Sequence, residues 1–398
     1  MLFHKNTKKK LFFSSLIVGI SFFNLSSKCN NKERNTITIG YNYDNGWTEE
    51  SKNAFSNLLA KKYKQIIKND SQFKNLNSNV IFKFKKINDK NQILTDLITN
   101  KQNNLDLGIL SYGLFANKIK EKKDLEKFEP QFIAQTKTYK FIWDTINNPH
   151  YSNGLKNDKL RKLAELQNNE YFDKYGEFKN WYSNINLNWD GSKYKNFYNE
   201  NETTEFYRGN ILISGNEAII NQITKAWEQR DWEKFKSFGI IHDKNTSGSK
   251  FKFQLNLLSK HFNISYQKLI DFFNSQDNKQ HILGKAKKIL GKENYYIAFS
   301  EEGIFNWTKS KKDSNDFNPN NQQHKIRVLT TTENAPYDAL LARSKMSKEL
   351  ISSLKKLFNS IETKENDFGI YTGYNQFLSG DNELFWKYIN MQNKIENN

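Results

Sequence analysis

The sequence predicts an α/β protein built as two blocks on either side of an irregular middle. Three observations carry this expectation. Short β-branched runs alternate with helix-length amphipathic stretches over the first hundred or so residues; the same rhythm resumes after residue 206; and the stretch 115–204 between them, rich in Asn, Tyr and Trp, has no clear period. Strand, helix, strand, helix in that order implies a parallel sheet, because parallel neighbours need a crossover between them.

The elements follow from local pattern. TITIG at 36–40 alternates β-branched residues and ends in glycine, as a buried first strand does. Helical patterns at 49–67 and 92–100 flank VIFKFKKI at 80–87, which alternates apolar and basic residues as a second strand, and LDLGIL at 105–110 reads as a third. Residues 115–204 are read mostly as loops and insertions. FYRGNILISGN at 206–216 is the next strand, followed by a helix at 217–229, an apolar strand at 238–241 and the amphipathic run FKFQLNLLSKHF. A helix near 283–290, strands at 295–300 (YYIAFS) and 326–332 (IRVLTTT), and a helix at 348–361 complete the second block. KKDSNDFNPNNQQ at 311–323 is a low-complexity loop, and no internal repeat is visible.

Ahead of these elements, MLFHKNTKKK places four lysines before LFFSSLIVGISFFNL, an apolar run of 15 residues at 11–25. That is short of the roughly 20 residues that span a bilayer and suits the core of an export signal. Residues 1–28 are read as that signal. Leu25, Ser26, Ser27 and Lys28 before Cys29 look like a bacterial lipobox, with Lys28 where a small residue is usual. Cys29 is therefore the expected lipidation site, and residues 29–35 the lipid-anchored tether.

Composition narrows the function classes. Cys29 is the only cysteine among 398 residues, and six scattered histidines leave no Cys/His cluster, so no metal site is expected. The chain carries 61 basic against 43 acidic residues, a formal charge of +18. Its lysines are interleaved with acids, and neither arginine forks nor an aromatic RNA-binding signature is present, so the charge reads as solvated surface and no specific nucleic acid partner is expected. HExxH, GxSxG and a defensible pair of catalytic carboxylates are all absent, which argues against an enzyme.

The strongest chemical signal is HDKNTSGSKF at 242–251. It follows an apolar strand and precedes an amphipathic run, so Thr246, Ser247, Gly248 and Ser249 sit where a strand gives way to a helix N-terminus. Free backbone N–H groups and the helix dipole favour an anion there, the hydroxyls add donors, and Gly248 lets the backbone approach closely. The blander alternative is an ordinary N-cap made by Thr246 or Ser247. The Gly-x4-Gly-Lys-Ser/Thr spacing of a P-loop is missing.

Four segments, FYRGNILISGNE, AWEQRDWEKFKSFGIIHDKNTSGSKFK, YYIAFSEEGIFNWT and ENAPYDALLAR, are very similar to segments of the mycoplasma high-affinity transport-system lipoproteins, extracytoplasmic proteins that bind thiamine pyrophosphate. The resemblance runs in order from about residue 36 to 380 and matches poorly at 140–200. A wider similarity links the chain to phosphonate-type solute-binding proteins of ABC importers, whose Ser-Thr-Ser-Gly loop grips the anionic ligand group. The resemblance implies a two-lobed periplasmic-binding-protein-like fold of type II, each lobe a mostly parallel sheet flanked by helices, with ligand in the inter-lobe cleft. Residues 36–205 would begin the first lobe, 206–333 form the second, and 334–398 return to the first. The expected partners are thiamine pyrophosphate, as transported ligand rather than cofactor, an ABC permease, and the membrane through the lipid anchor; the protein is expected to be a monomer at the extracellular face. Other readings are a binder of a different phosphate or phosphonate compound, or a basic surface adhesin or nucleic-acid-binding lipoprotein.

Thiamine pyrophosphate demands an anion grip, flat surfaces for two rings and a counter-charge for the thiazolium. Tyr41, Tyr43 and Trp47 follow the first strand and offer stacking surfaces, and Ser111 and Tyr112 follow the third, where the resemblance implies a tyrosine-bearing ligand loop. Glu301 and Glu302 would offset the cation and Trp307 would stack on it. His242 either donates to phosphate or bonds a backbone carbonyl, and Arg208 is a reserve anion contact. Asn334, Tyr337 and Asp338 lie at the second expected crossover as hinge or ligand residues. For each lone aromatic the alternative home is the hydrophobic core.

Overall fold

The computed structural model describes residues 35–99, 105–275 and 277–396; the expected export signal and Cys29 lie outside the described residues. The first strand, β1 (Thr36–Tyr41), buries alternate side chains and leads into a helix at Glu49–Asn69. Thr48 caps that helix by accepting from the Ser51 N–H, Glu49 and Glu50 occupy its first turn, and Phe55, Leu59, Tyr63 and Ile67 recur every four residues as one buried stripe.

The other strands of the first half are β2 (Ile81–Lys86), β3 (Leu107–Leu110), β4 (Gln131–Phe141), β5 (Tyr198–Thr204) and the short β6 (Phe206–Tyr207). Then come β7 (Gly209–Gly215), β8 (Ile240–His242), β9 (His281–Leu283), β10 (Ile297–Glu301), β11 (Lys325–Thr331), β12 (Ala335–Pro336), β13 (Ala339–Ala342) and β14 (Gln376–Ser379). They form two main sheets, ordered β2-β1-β3-β13-β4-β14, with β5 on β4, and β9-β8-β10-β7-β11. Each has the same plan. A parallel trio (β2-β1-β3, β9-β8-β10) is followed by one antiparallel strand, β13 or β7, and then by a fifth strand, β4 or β11, beyond it. In both sheets the antiparallel strand is the one that arrives from the other lobe. The expected parallel core is thus present twice, and the crossover strands extend it in mixed sense. This is the two-lobed type II periplasmic-binding-protein fold. β6 and β12 pair as a separate two-stranded ribbon between the lobes.

The middle of the chain departs from expectation. Residues 115–204 hold the eleven-residue β4, which lies between β13 and β14, and a helix at Lys159–Asn168 capped by Asp158. Trp143, Tyr171, Phe178, Trp181 and Phe197 pack against Leu212, Ile241, Ala298 and Val328 on one face of the second sheet. This part of the segment assigned by sequence to the first lobe therefore completes the core of the second. Its aromatics are carried on 3-10 turns and short helices, where neither a period of two nor of 3.6 develops.

Candidate functional site

A cavity of about 460 Å³ lies between the lobes. Its wall is assembled from the C-terminal ends of the parallel strands, where an α/β sheet leaves loops free to meet a ligand. Tyr43 follows β1, Lys90 follows β2, and Ser111 and Gly113 follow β3; opposite them stand residues 246–250 after β8 and Glu301 at the end of β10. The crossover segments add Thr138, Phe141, Tyr198, Tyr207, Tyr337 and Asp338.

The loop after β8 is built to hold its backbone still. The Ser247 N–H donates to the Lys244 carbonyl (2.9 Å), and Lys252 N–H to the Ser247 carbonyl (3.1 Å). The buried amide of Gln254 donates to three carbonyls, those of Ser249 (2.6 Å), Ser300 (3.0 Å) and Asn210 (3.1 Å), and so ties the loop to β10 and β7. Gly209 makes room for that amide: a Cβ there would stand 2.3 Å from Gln254 Nε2. A π-helical turn, Gly248–Lys252, runs straight into the helix Phe253–Phe262. Ser247 is its N-cap by position, yet its side chain makes no capping bond. The first N–H groups of a helix have no partners within it, so this turn presents donors toward the cleft. Gly248 is not in the left-handed region of φ; its requirement is space, since a Cβ would meet Phe253 Cζ at 2.9 Å and Tyr207 Oη at 3.3 Å.

Around this loop, aromatic rings and ion pairs complete the wall. Tyr43 is 49% exposed, and the half-buried Trp307 stands edge-on to Tyr198 with ring centroids 6.2 Å apart. Phe141 and Tyr198 lie 5.2 Å apart. Asp338 accepts from the Tyr374 hydroxyl (2.7 Å) and from Lys90 Nζ (3.3 Å). Lys250 pairs with Glu301 at 2.5 Å. Burial holds the Lys250 amine below the ordinary lysine range; Asp243 acts against this, while Lys285 and Lys287 reinforce it.

Eleven of the seventeen residues named from sequence as ligand contacts meet in this one cavity: Tyr43, Ser111, Thr246, Ser247, Gly248, Ser249, Glu301, Glu302, Trp307, Tyr337 and Asp338. The other six are placed elsewhere, and each has a physical reason. Trp47 is core, its ring within 5.0 Å of both Phe84 and Phe368 and its Nε1 donating to Ser51 Oγ (2.8 Å). Tyr41 is buried beside it and donates to Asp44 (3.1 Å). Tyr112 is fully buried under the helix Asn382–Glu396, against Phe385 and Tyr388, with its hydroxyl on Gln135 Oε1 (2.7 Å).

His242 lies beneath the loop rather than in the cleft, with Nε2 3.2 Å from His281 Nδ1 and Nδ1 2.9 Å from the Asp243 carbonyl; burial pushes its pKa down. Arg208 is 4% exposed, and its guanidinium is fully engaged by Asp144 (2.7 Å), Glu302 (3.1 Å) and Asn334 Oδ1 (2.6 Å), which also accounts for Asn334. Burial alone would lower the Arg208 pKa, but the two carboxylates outweigh it and raise it. Burial drives the Glu302 pKa up against the pull of Arg208 and of Trp143, whose Nε1 donates to it at 2.8 Å. Glu302 is thereby committed to Arg208, and Glu301 is left as the carboxylate at the mouth of the pair.

Sequence reasoning missed Tyr198, Tyr207, Tyr374, Lys90 and Glu396, which also line the cavity. They come from the loop after β2, the crossovers, the turn before β14 and the last helix, and no local pattern marks them. Only the repeated tyrosines near crossover segments offered a trace.

The family model for CypI, the extracytoplasmic thiamine-binding lipoprotein, matches residues 53–390. The high affinity transport system protein p37 of Mesomycoplasma hyorhinis is 30% identical over 334 residues, covering 83% of this chain and 79% of that protein. The p37 of Mycoplasma pneumoniae is 30% identical over 326 residues, 77% of this chain and 82% of that one. The solved structure of Mh-p37 from Mycoplasma hyorhinis, proposed as a thiamine pyrophosphate transporter, superposes with a TM-score of 0.79 at 27% identity, over 89% of this chain and 99% of that chain. With the family model spanning most of its length and the type II fold in place, the chain belongs to the CypI family of extracytoplasmic thiamine-binding lipoproteins, which are transport proteins of the solute-binding type.

Proposed function

We propose that the protein is a lipid-anchored extracytoplasmic solute-binding protein that captures thiamine pyrophosphate between its lobes and hands it to an ABC permease. The observation that carries this reading is the convergence in one cavity of an uncapped serine at a helix start, accessible aromatic faces and a part-exposed carboxylate whose ion-pair partner is Lys250. The Thr246–Ser249 loop grips the pyrophosphate through backbone N–H groups and hydroxyls, with Ser111 facing it from the first lobe. Tyr43 and Trp307 stack on the rings, and Glu301 balances the thiazolium. Tyr337 and Asp338, beside the β6–β12 ribbon, sit at the hinge between lobes. A volume of about 460 Å³ suits a ligand of cofactor size. Cys29 carries the lipid after removal of residues 1–28, and the protein acts as a monomer on the outer face of the membrane. Mass spectrometry of small molecules released from denatured, natively purified protein tests the ligand. Thiamine pyrophosphate is the expected species; a phosphonate, or no thiamine compound together with no calorimetric binding of added thiamine pyrophosphate, overturns the reading.

A further inference from the structure

Every formal charge on the cleft wall is matched by another side chain of the protein. Lys90 pairs with Asp338 (3.3 Å), Glu302 with Arg208 (3.1 Å), Glu396 with Lys252 (3.1 Å) and Lys250 with Glu301 (2.5 Å). The first three are held by further bonds: Asp338 by Tyr374, Glu302 by Trp143, Glu396 by Gln392. The Lys250–Glu301 pair is different. Its side chains are 34% and 27% exposed. Both residues border not only the main cavity but an adjoining chamber of about 220 Å³, together with Tyr43 and Trp307. Lys250 directly follows Ser249 of the loop, and Glu301 ends β10 six residues before Trp307.

We propose that the Lys250–Glu301 ion pair is an internal stand-in for the ligand, opened by exchange, and that it makes the cleft select compounds carrying a phosphate anion and a cationic ring together. The inference rests on the reading of the cleft as a thiamine pyrophosphate site. A phosphate settled on the loop lies one residue from Lys250 and competes with Glu301 for its amine. A purely anionic ligand then leaves Glu301 without a counter-charge in a partly desolvated wall, which is costly. A cation without a phosphate strands Lys250 in the same way. A ligand with both charges re-pairs both groups, its ring cation replacing the amine beside Glu301. Discrimination thus comes from a penalty against ligands of one charge as much as from attraction.

The test is calorimetric titration of the full chain, purified in detergent at low salt, with thiamine pyrophosphate, inorganic pyrophosphate and free thiamine. Glu301→Gln is expected to tighten inorganic pyrophosphate by roughly fivefold while weakening thiamine pyrophosphate, and Lys250→Gln to tighten free thiamine by a similar factor while weakening inorganic pyrophosphate. Lys250→Arg keeps the wild-type order of the three ligands. Opposite signs for the two single-charge ligands cannot come from general loosening of the loop. If the wild-type chain binds thiamine pyrophosphate but each variant shifts all three ligands in one direction, the exchange is refuted and the site reading stands. If the wild-type chain binds none of them, both fall.

Discussion

Ser247 offers the cleanest separation of ligand contact from scaffold. It has N-cap dihedrals (φ −76°, ψ 127°) but no capping bond, so Ser247→Ala removes nothing that the free protein uses. A serine that does cap its helix contributes about 1 kcal/mol; here the melting temperature of the ligand-free variant should stay within about 1 °C of the parent. With ligand the hydroxyl becomes a donor to a charged phosphate, worth about 1.5–3 kcal/mol, so affinity for thiamine pyrophosphate should fall roughly tenfold to a hundredfold. Free thiamine, lacking the phosphates, should bind both proteins equally. Gly248→Ala should do worse: its Cβ would press on Phe253 Cζ at 2.9 Å, adding about 1–3 kcal/mol of overpacking. Titration calorimetry gives the affinities, and melting with and without ligand gives the stabilities through linkage. A Ser247→Ala protein that melts lower without ligand yet binds thiamine pyrophosphate normally would refute the reasoning, since Ser247 would then be a cap.

Three further outcomes are expected. Trp307→Ala should weaken thiamine pyrophosphate by about 1–3 kcal/mol with a small effect on folding, whereas Trp47→Ala should cost about 3–5 kcal/mol of stability through its cavity among Phe55, Phe84 and Phe368; denaturant titration and calorimetry on both separate the roles. His261 is fully buried, stacked on Trp227 at 3.8 Å and bonded to its carbonyl, and burial pushes its pKa down to about 4. The unfolded chain takes up a proton near pH 6.5 while the folded one does not, so stability should be full above that pH and decline by on the order of 3 kcal/mol as pH falls toward 4; urea titrations at pH 7.5 and 4.5 measure it, and His261→Gln should flatten the slope. Cys29→Ser should move the protein from the detergent phase to the aqueous phase or the medium in phase-partitioning assays; equal retention would count against lipid attachment.

What could be read from sequence was decided by whether a side chain's environment is local. β1, β2 and the helix Glu49–Asn69 carry their burial in their own period, and they were found within a few residues. β4 was not, because Gln135, Thr136 and Thr138 are buried on it. Their partners are the Tyr112 hydroxyl, the Asp338 carbonyl and Asn375, all remote in sequence. In isolation those polar residues read as surface. The loop at 246–249 was legible because strand, small polar residues and helix follow one another directly. Trp47 and Tyr112 misled for the converse reason: both stand just beyond strands that feed the cleft, but their rings turn into clusters whose other members, Phe368 and Phe385, arrive some 270 to 320 residues later.

The interleaving of strands between the sheets fixes an order of assembly. All five strands of the second sheet, β7 to β11, lie within one continuous stretch, residues 209–331. The first sheet has no such continuity, for β13 is inserted between β3 and β4 and is made only after the whole second sheet. Until Ala339–Ala342 leaves the ribosome, β3 and β4 each expose an unsatisfied edge, and the two halves of the first sheet have nothing to join them. The second sheet can close during synthesis while the first waits for its keystone. Truncation between residues 331 and 339 should therefore leave the second sheet whole and the first with an open, aggregation-prone edge, and the slow step in refolding the intact chain should be the long-range capture of β13.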